Sequence, residues 1–204
     1  MGFPVRKIDV FAGVNSLLFL ILCVFRYHAR FIEYRGAGHI EEFFIYAGII
    51  LAGILFLWWT FRDHAFDTSV LVLLQAGILM HFAGAFIPIE AGRLYDAHLF
   101  GIRYDKYVHV VNAFAVAFLM GRLFQIQGIP LTWLNAILLV LAVLGLGAIV
   151  EMVEYAVVLT VESNGVGGYD NNMQDLLGNL CGSVIYVLSR LGSEGRLARI
   201  QPEG

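Results

Sequence analysis

The chain has 204 residues, of which 59% are hydrophobic and only 14% charged. A water-soluble domain of that length has too little interior to hide so much apolar surface, so the expected solvent is lipid and the expected fold an all-α, polytopic membrane bundle. The formal net charge of −3 supplies no basic stripe, which argues against a nucleic-acid partner.

Arg6 and Lys7 precede the first apolar run, 8–26, as they would in a signal peptide. Arg26, Tyr27 and His28 follow it instead of a small-x-small cleavage site, so the run reads as a retained first span. Further apolar segments lie at 43–61, 69–89, 107–124, 131–159 and 175–192, each near the roughly 20 residues a spanning helix needs. Residues 62–67 form a charged turn between the second and third segments. Residues 127–130 break the chain before the fifth, where Pro130 suits a first helical turn. Cys23 and Cys181 sit in apolar runs without metal-ligand spacing and read as packing residues. The glycine-rich stretch 165–168 lacks the lysine and helix context of a phosphate loop and reads as a flexible turn. Residues 1–192 are expected to form one transmembrane helical domain, with about six spans, and residues 193–204 a polar tail.

Three polar clusters interrupt this pattern. Asp105, Lys106 and His109 stand at the mouth of the fourth segment, and Glu151 and Glu154 inside the last turns of the fifth. Asp170, Gln174, Asp175 and Asn179 stand at the start of the sixth. Alternating span direction brings all three to one side of the bilayer. His81, about two turns from the end of the third span, falls at a similar depth given a rise of about 1.5 Å per residue. Ionisable groups are expensive in hydrocarbon, so such convergence reads as a site.

Spacing selects the faces. Asp105 and His109 are four apart with Asn112 three further on, Glu151 and Glu154 are three apart, and Asp175, Asn179 and Gly182 follow one stripe. Gly178 and Gly182 form a small-xxx-small pair that admits a close neighbour. Two carboxylates on adjacent turns in low dielectric tend to share a proton, giving an acid/base pair or a receptor for one cation. His109 beside Asp105 suggests a carboxylate orienting an imidazole for general-base or nucleophilic work. Lys106, Arg103 and Arg93 are expected at headgroup level, where they could hold a phosphate.

Plainer readings compete at each position. Asp105 and Lys106 can be an interfacial ion pair with a snorkelling lysine, the glutamates a structural knot, His81 a packing histidine and Asp170 a helix-start acid. His28, His39, His64 and His98 read as loop residues without a role, and the loop aromatics as interfacial anchors.

The stretches 104–114, 151–155 and 170–182 together resemble the YjdF-like, VanZ-related bacterial inner-membrane proteins of the lipocone superfamily, over roughly residues 95–185. That pattern has Asp-Lys/Arg-x-x-His at one helix start, Glu-x-x-Glu in the next helix, then spaced aspartates leading into Asp-x-x-x-Asn/Asp-x-x-Gly. The matched positions are Asp105, His109, Glu151, Glu154, Asp170, Asp175 and Asn179. Val150 departs from the large residue expected before the first glutamate. The resemblance implies a helical domain of the bacterial cytoplasmic membrane that acts on a phospholipid headgroup or a polyprenyl-phosphate carrier, by hydrolysis or headgroup transfer.

The expected catalytic set is therefore Asp105, His109, Glu151, Glu154 and Asp175. Lys106, Asn112, Asp170, Asn179, His81 and Arg103 are expected to bind substrate, with Asp175 and Asn179 offering oxygen to the substrate or to a divalent cation. Two alternatives stand beside it: a small-solute or proton-coupled transporter, and a structural or regulatory membrane subunit. Serine-hydrolase, P-loop, dinucleotide and zincin motifs are absent from the sequence.

Overall fold

Lipid offers backbone N–H and C=O groups no partner, so apolar runs of this length must satisfy them internally as helices. The computed structural model of the protein describes residues 5–90, 92–160 and 168–200, and is built almost wholly of helix. Residues 165–167 of the glycine-rich stretch lie outside the described residues. In chain order, α1 (Lys7–Leu22) passes through a π-helical turn at Cys23–Tyr27 into α2 (His28–Arg35), and α3 (Ile40–Phe61) and α4 (Thr68–Phe86) follow. After two short hairpins come α5 (Tyr104–Ile126), α6 (Trp133–Thr160) and α7 (Tyr169–Ile200). The first helix runs past its expected limit, so His28 is helical rather than in a loop.

The connection before α5 is more ordered than its sequence suggests. Strand β1 (Pro88–Ile89) pairs antiparallel with β2 (Gly92–Arg93), and β3 (His98–Leu99) with β4 (Ile102–Arg103). Phe100 and Gly101, with φ of 52° and 79°, make the tight left-handed turn between β3 and β4.

Among the described residues, five helices are long and apolar enough to cross a membrane: Lys7–Glu33, Ala37–Phe61, Thr68–Phe86, Tyr104–Ile126 and Trp133–Ala156. The expected sixth, α7, has the length but not the apolarity. Three polar residues along its middle face inward: Asp175, Asn179 and Ser183 are buried, while Leu177, Ile185 and Leu188 are exposed. That inverted amphipathicity is what a helix surrounded by hydrocarbon requires. The protein is an all-α membrane protein.

The described residues group into two compact units. The first comprises Met1–Leu71 and Tyr155–Val166. Its core is Phe19, Cys23 and Phe43 with Tyr27, Phe31 and Leu51 against them. The Trp58 indole donates to Asp9 at 2.7 Å, and the Arg6 guanidinium donates to Asp63 at 2.7 Å, closing one end of that unit.

The second unit comprises Val72–Glu154 and Gly167–Gly204. Ala113 and Ala117 of α5, Ala136, Leu139 and Val143 of α6, and Tyr186 and Val187 of α7 form its core. Small residues let α5 and α7 approach as the glycine spacing predicts. A methyl group at Gly182 would collide with the Val110 carbonyl oxygen, and one at Gly178 would sit 3.3 Å from the Lys106 carbonyl. This crossing positions the polar cluster.

Candidate functional site

Because Gly178 rests against the backbone of Lys106 and the Cβ of His109, the preceding turns of α7 overlie the first two turns of α5. Asp175 and Asn171, one and two turns before Gly178, are thereby brought onto Asp105, Lys106 and His109. The Lys106 ammonium donates to Asp175 Oδ1 at 2.6 Å, to Asn171 Oδ1 at 2.8 Å and to Asp105 Oδ2 at 3.0 Å, with the Asn171 carbonyl at 3.2 Å. Asn171 in turn donates through Nδ2 to Asp175 Oδ2 at 2.7 Å. Arg103, the residue that caps α5, donates to Asn171 Oδ1 at 2.8 Å and to Asp96 at 3.2 Å. Lys106 and Asp175 are buried, the latter only 2% exposed.

His109 Nε2 lies 3.2 Å from Asp175 Oδ1 and 3.7 Å from Asp105 Oδ1. Its nearer carboxylate is therefore on α7, across the helix crossing, rather than the Asp105 of its own stripe. Lys106 likewise departs from a snorkelling or phosphate-holding position, since its ammonium is turned into the protein and surrounded by oxygen.

The α6 stripe through Ala136, Leu139 and Val143 continues to Gly147 and Glu151. Gly147 makes room for the Asn179 amide, which is buried against it. Glu151 is 7% exposed and, among the described residues, neither of its carboxylate oxygens has a hydrogen-bond partner. It lies close enough to Glu154, Asp175, Asp105 and Lys106 for their charges to interact, and Glu154 stands in the same relation to His109. Two further carboxylates thus lie within electrostatic reach of the Asp105, Lys106, His109 and Asp175 group, giving an excess of acidic groups in a low-dielectric setting.

Other expected residues lie further out. His81 shares a short hydrogen bond with the Tyr95 hydroxyl and is within electrostatic reach of His109 and Asp105. Asn112 packs on Gly77 of α4. Asp170 and Gln174 are exposed on the first turns of α7. Arg93 pairs with Asp96 at 3.7 Å. Asn171 was not among the expected residues, although it precedes Asp175 by four and so extends the stripe of Asp175, Asn179 and Gly182. At the same level of the two helices, Leu144, Gly145 and Ala148 of α6 and Met173, Leu177 and Leu180 of α7, on the face of α7 turned away from Asp175 and Asn179, line an almost wholly apolar groove of about 560 Å³.

Chemically the arrangement offers an imidazole between two carboxylates, a reserve of further carboxylates for proton exchange, and hydrogen-bond donors at Arg103 and Asn179. Asp105, His109 and Asp175 also present one ligand atom each, all within 4.8 Å of one another. No curated protein and no solved structure matches the chain. Residues 14–193, which contain every residue of the cluster, match the family described as "Predicted membrane protein (DUF2238)". The chain belongs to that family of membrane proteins.

Proposed function

We propose that this protein acts at the phosphate ester of a membrane lipid, a phospholipid or a polyprenyl phosphate, by hydrolysis or by transfer of the headgroup. The observation that carries the reading is the placement of His109 among acidic side chains within a few turns of the helix ends, at the level of an apolar groove open between α6 and α7. A lipid lying with a chain in that groove would bring its head to this level. The likeness of 104–114, 151–155 and 170–182 to VanZ-related proteins supports the same substrate class.

In this reading His109 takes the proton of the attacking water or alcohol as its oxygen bonds to phosphorus. The bond from phosphorus to the leaving oxygen breaks, and a protonated Glu151 or Glu154 supplies the proton to that oxygen. Asp175 holds the imidazole. Arg103, with N–H groups beyond those given to Asn171 and Asp96, and Asn179 orient the phosphate.

The test is release of headgroup or phosphate from defined phospholipids and isoprenoid phosphates by the purified protein in lipid nanodiscs. His109→Gln and Glu151→Gln are each expected to reduce turnover by about 100-fold or more. Turnover that persists undiminished in both variants overturns the assignment.

One observation favours a second reading. Three of the four contacts of the Lys106 ammonium, those to Asn171 and Asp175, tie α5 to α7, as a purely structural clamp would. In that case His109→Gln and Glu151→Gln leave the physiological role intact while Lys106→Met unfolds the second unit.

A further inference from the structure

We infer that Asp105, His109 and Asp175 form a binding site for a divalent transition-metal cation, with Glu151 as the carboxylate that completes its surroundings. The first support is geometric. The two carboxylate oxygens and the imidazole Nε2 converge within 4.8 Å, with Nε2 lying 3.2 and 3.7 Å from the aspartate oxygens. Ligand atoms each about 2.1 Å from a shared ion stand about 3.0–3.4 Å apart for coordination angles between octahedral and tetrahedral. The three side chains therefore already stand near the edges of one coordination shell. They are also held by rigid helix rather than loop, two of them on one stripe of α5 and the third across the glycine-lined crossing on α7.

The second support is independent of that trio. Glu151 comes from a different helix, α6, is more than nine-tenths buried, and leaves both oxygens unpartnered among the described residues while its charge interacts with those of Asp105 and Asp175. A buried carboxylate without a donor is costly and requires an explanation. A cation beside Asp105 and Asp175 provides one: Glu151, which stands outside the converging trio, receives a hydrogen bond from a water on the metal.

Charge points the same way. Lys106 is shared by two of the four carboxylates, and a dication would offset two of the three negative charges that its ammonium leaves. Three protein ligands leave coordination positions open, which is the pattern of a catalytic rather than a structural site. One imidazole with two carboxylates suits Zn²⁺ or Mn²⁺ better than the all-oxygen preference of Ca²⁺. The ion would draw an anionic phosphate towards carboxylates that otherwise repel it; because an imidazole bound through Nε2 keeps its proton on Nδ1, the proton-accepting role given to His109 would pass in the ion-bound form to one of the two glutamates. With that change the inference rests on and deepens the proposed lipid chemistry, while ion binding can be measured without it.

Lys106 makes the inference sharp, because its ammonium competes for Asp105 and Asp175. Full-length protein, stripped with EDTA in detergent, is titrated with Mn²⁺ and followed by loss of the free-ion electron paramagnetic resonance signal and by thermal melting. Stoichiometric uptake and a raised melting temperature are expected for the wild type and for Gln174→Ala. His109→Gln and Asp175→Asn should each weaken binding by at least about 100-fold, a loss of the size seen when metal ligands or their supports are removed. Lys106→Gln should bind at least as tightly as the wild type. Asp175→Asn also removes a partner of Lys106 and can fail to fold, so His109→Gln is the deciding variant.

No uptake by the wild type, or uptake that survives His109→Gln, overturns the site. The lipid reading is scored separately. Mn²⁺ uptake without turnover of any lipid leaves the ion site standing and removes the enzyme, whereas turnover indifferent to EDTA does the reverse.

Discussion

Lys106 and Glu151 are both buried, on opposite terms. The ammonium has four oxygen contacts, and the carboxylate has no hydrogen bond among the described residues. Substituting each should therefore act on different properties. Lys106→Met strands the buried Asp175 carboxylate and is expected to cost about 3–5 kcal/mol, as breaking a buried ion pair does. Denaturant unfolding in detergent measures it. Glu151→Gln replaces a carboxyl group that lost its hydration without gaining a hydrogen bond, so stability should stay level or rise while lipid turnover falls. A destabilisation by Glu151→Gln as large as that of Lys106→Met would mean that the carboxylate has a structural partner. The sequence already distinguished Glu151, because a glutamate deep in an apolar run has few innocent explanations. Lys106 was not legible in that way. At the start of a membrane helix a lysine normally reaches for water, and only the approach of α7, with Asn171 and Asp175, turns it inward.

At the scale of elements, the α5–α7 crossing depends on glycine in two grades of tolerance. A methyl group at Gly182 meets the carbonyl oxygen of Val110 and the backbone of Phe114, neither of which can move without shifting α5. At Gly147 the obstacle is the Asn179 amide, a side-chain end that can rotate. Gly182→Ala is thus expected to lower the melting temperature markedly and to weaken the proposed ion binding, because it spreads Asp175 from His109. Gly147→Ala should cost less in stability and act mainly through Asn179. Equal effects from the two would remove the crossing as the organising contact. Small-residue spacing made the close approach readable in advance, and the helices themselves followed from hydropathy. The hairpins before α5 did not, since their strands are only two residues long and carry no alternation to detect. Nor did the partnership of Tyr95 with His81 or of Asp96 with Arg103, which depends on how those turns fold back.

Across the whole molecule, hydrophobicity is arranged for a solvent of hydrocarbon: large apolar side chains such as Phe44, Phe56, Trp59, Leu141 and Leu188 are exposed, while Asp175, Asn179 and Ser183 are hidden. Five helices declare this from composition. The seventh does so only through its packing, and that contrast bears on how the protein is made. An aspartate in a spanning helix opposes membrane insertion, by about 2.5–3.5 kcal/mol at the centre and by less towards an end, and α7 carries Asp175 in its second turn with Asn171 and Asn179 close by. Released singly from the translocon, it should often slip through rather than stay. Lys106 arrives earlier on α5, so a nascent chain holding α5 and α6 at the lateral gate can neutralise that aspartate as α7 emerges. A glycosylation reporter placed after α7 should accordingly show poor integration for α7 alone, efficient integration when α5 and α6 precede it, and a return to poor integration when Lys106 is changed to Met.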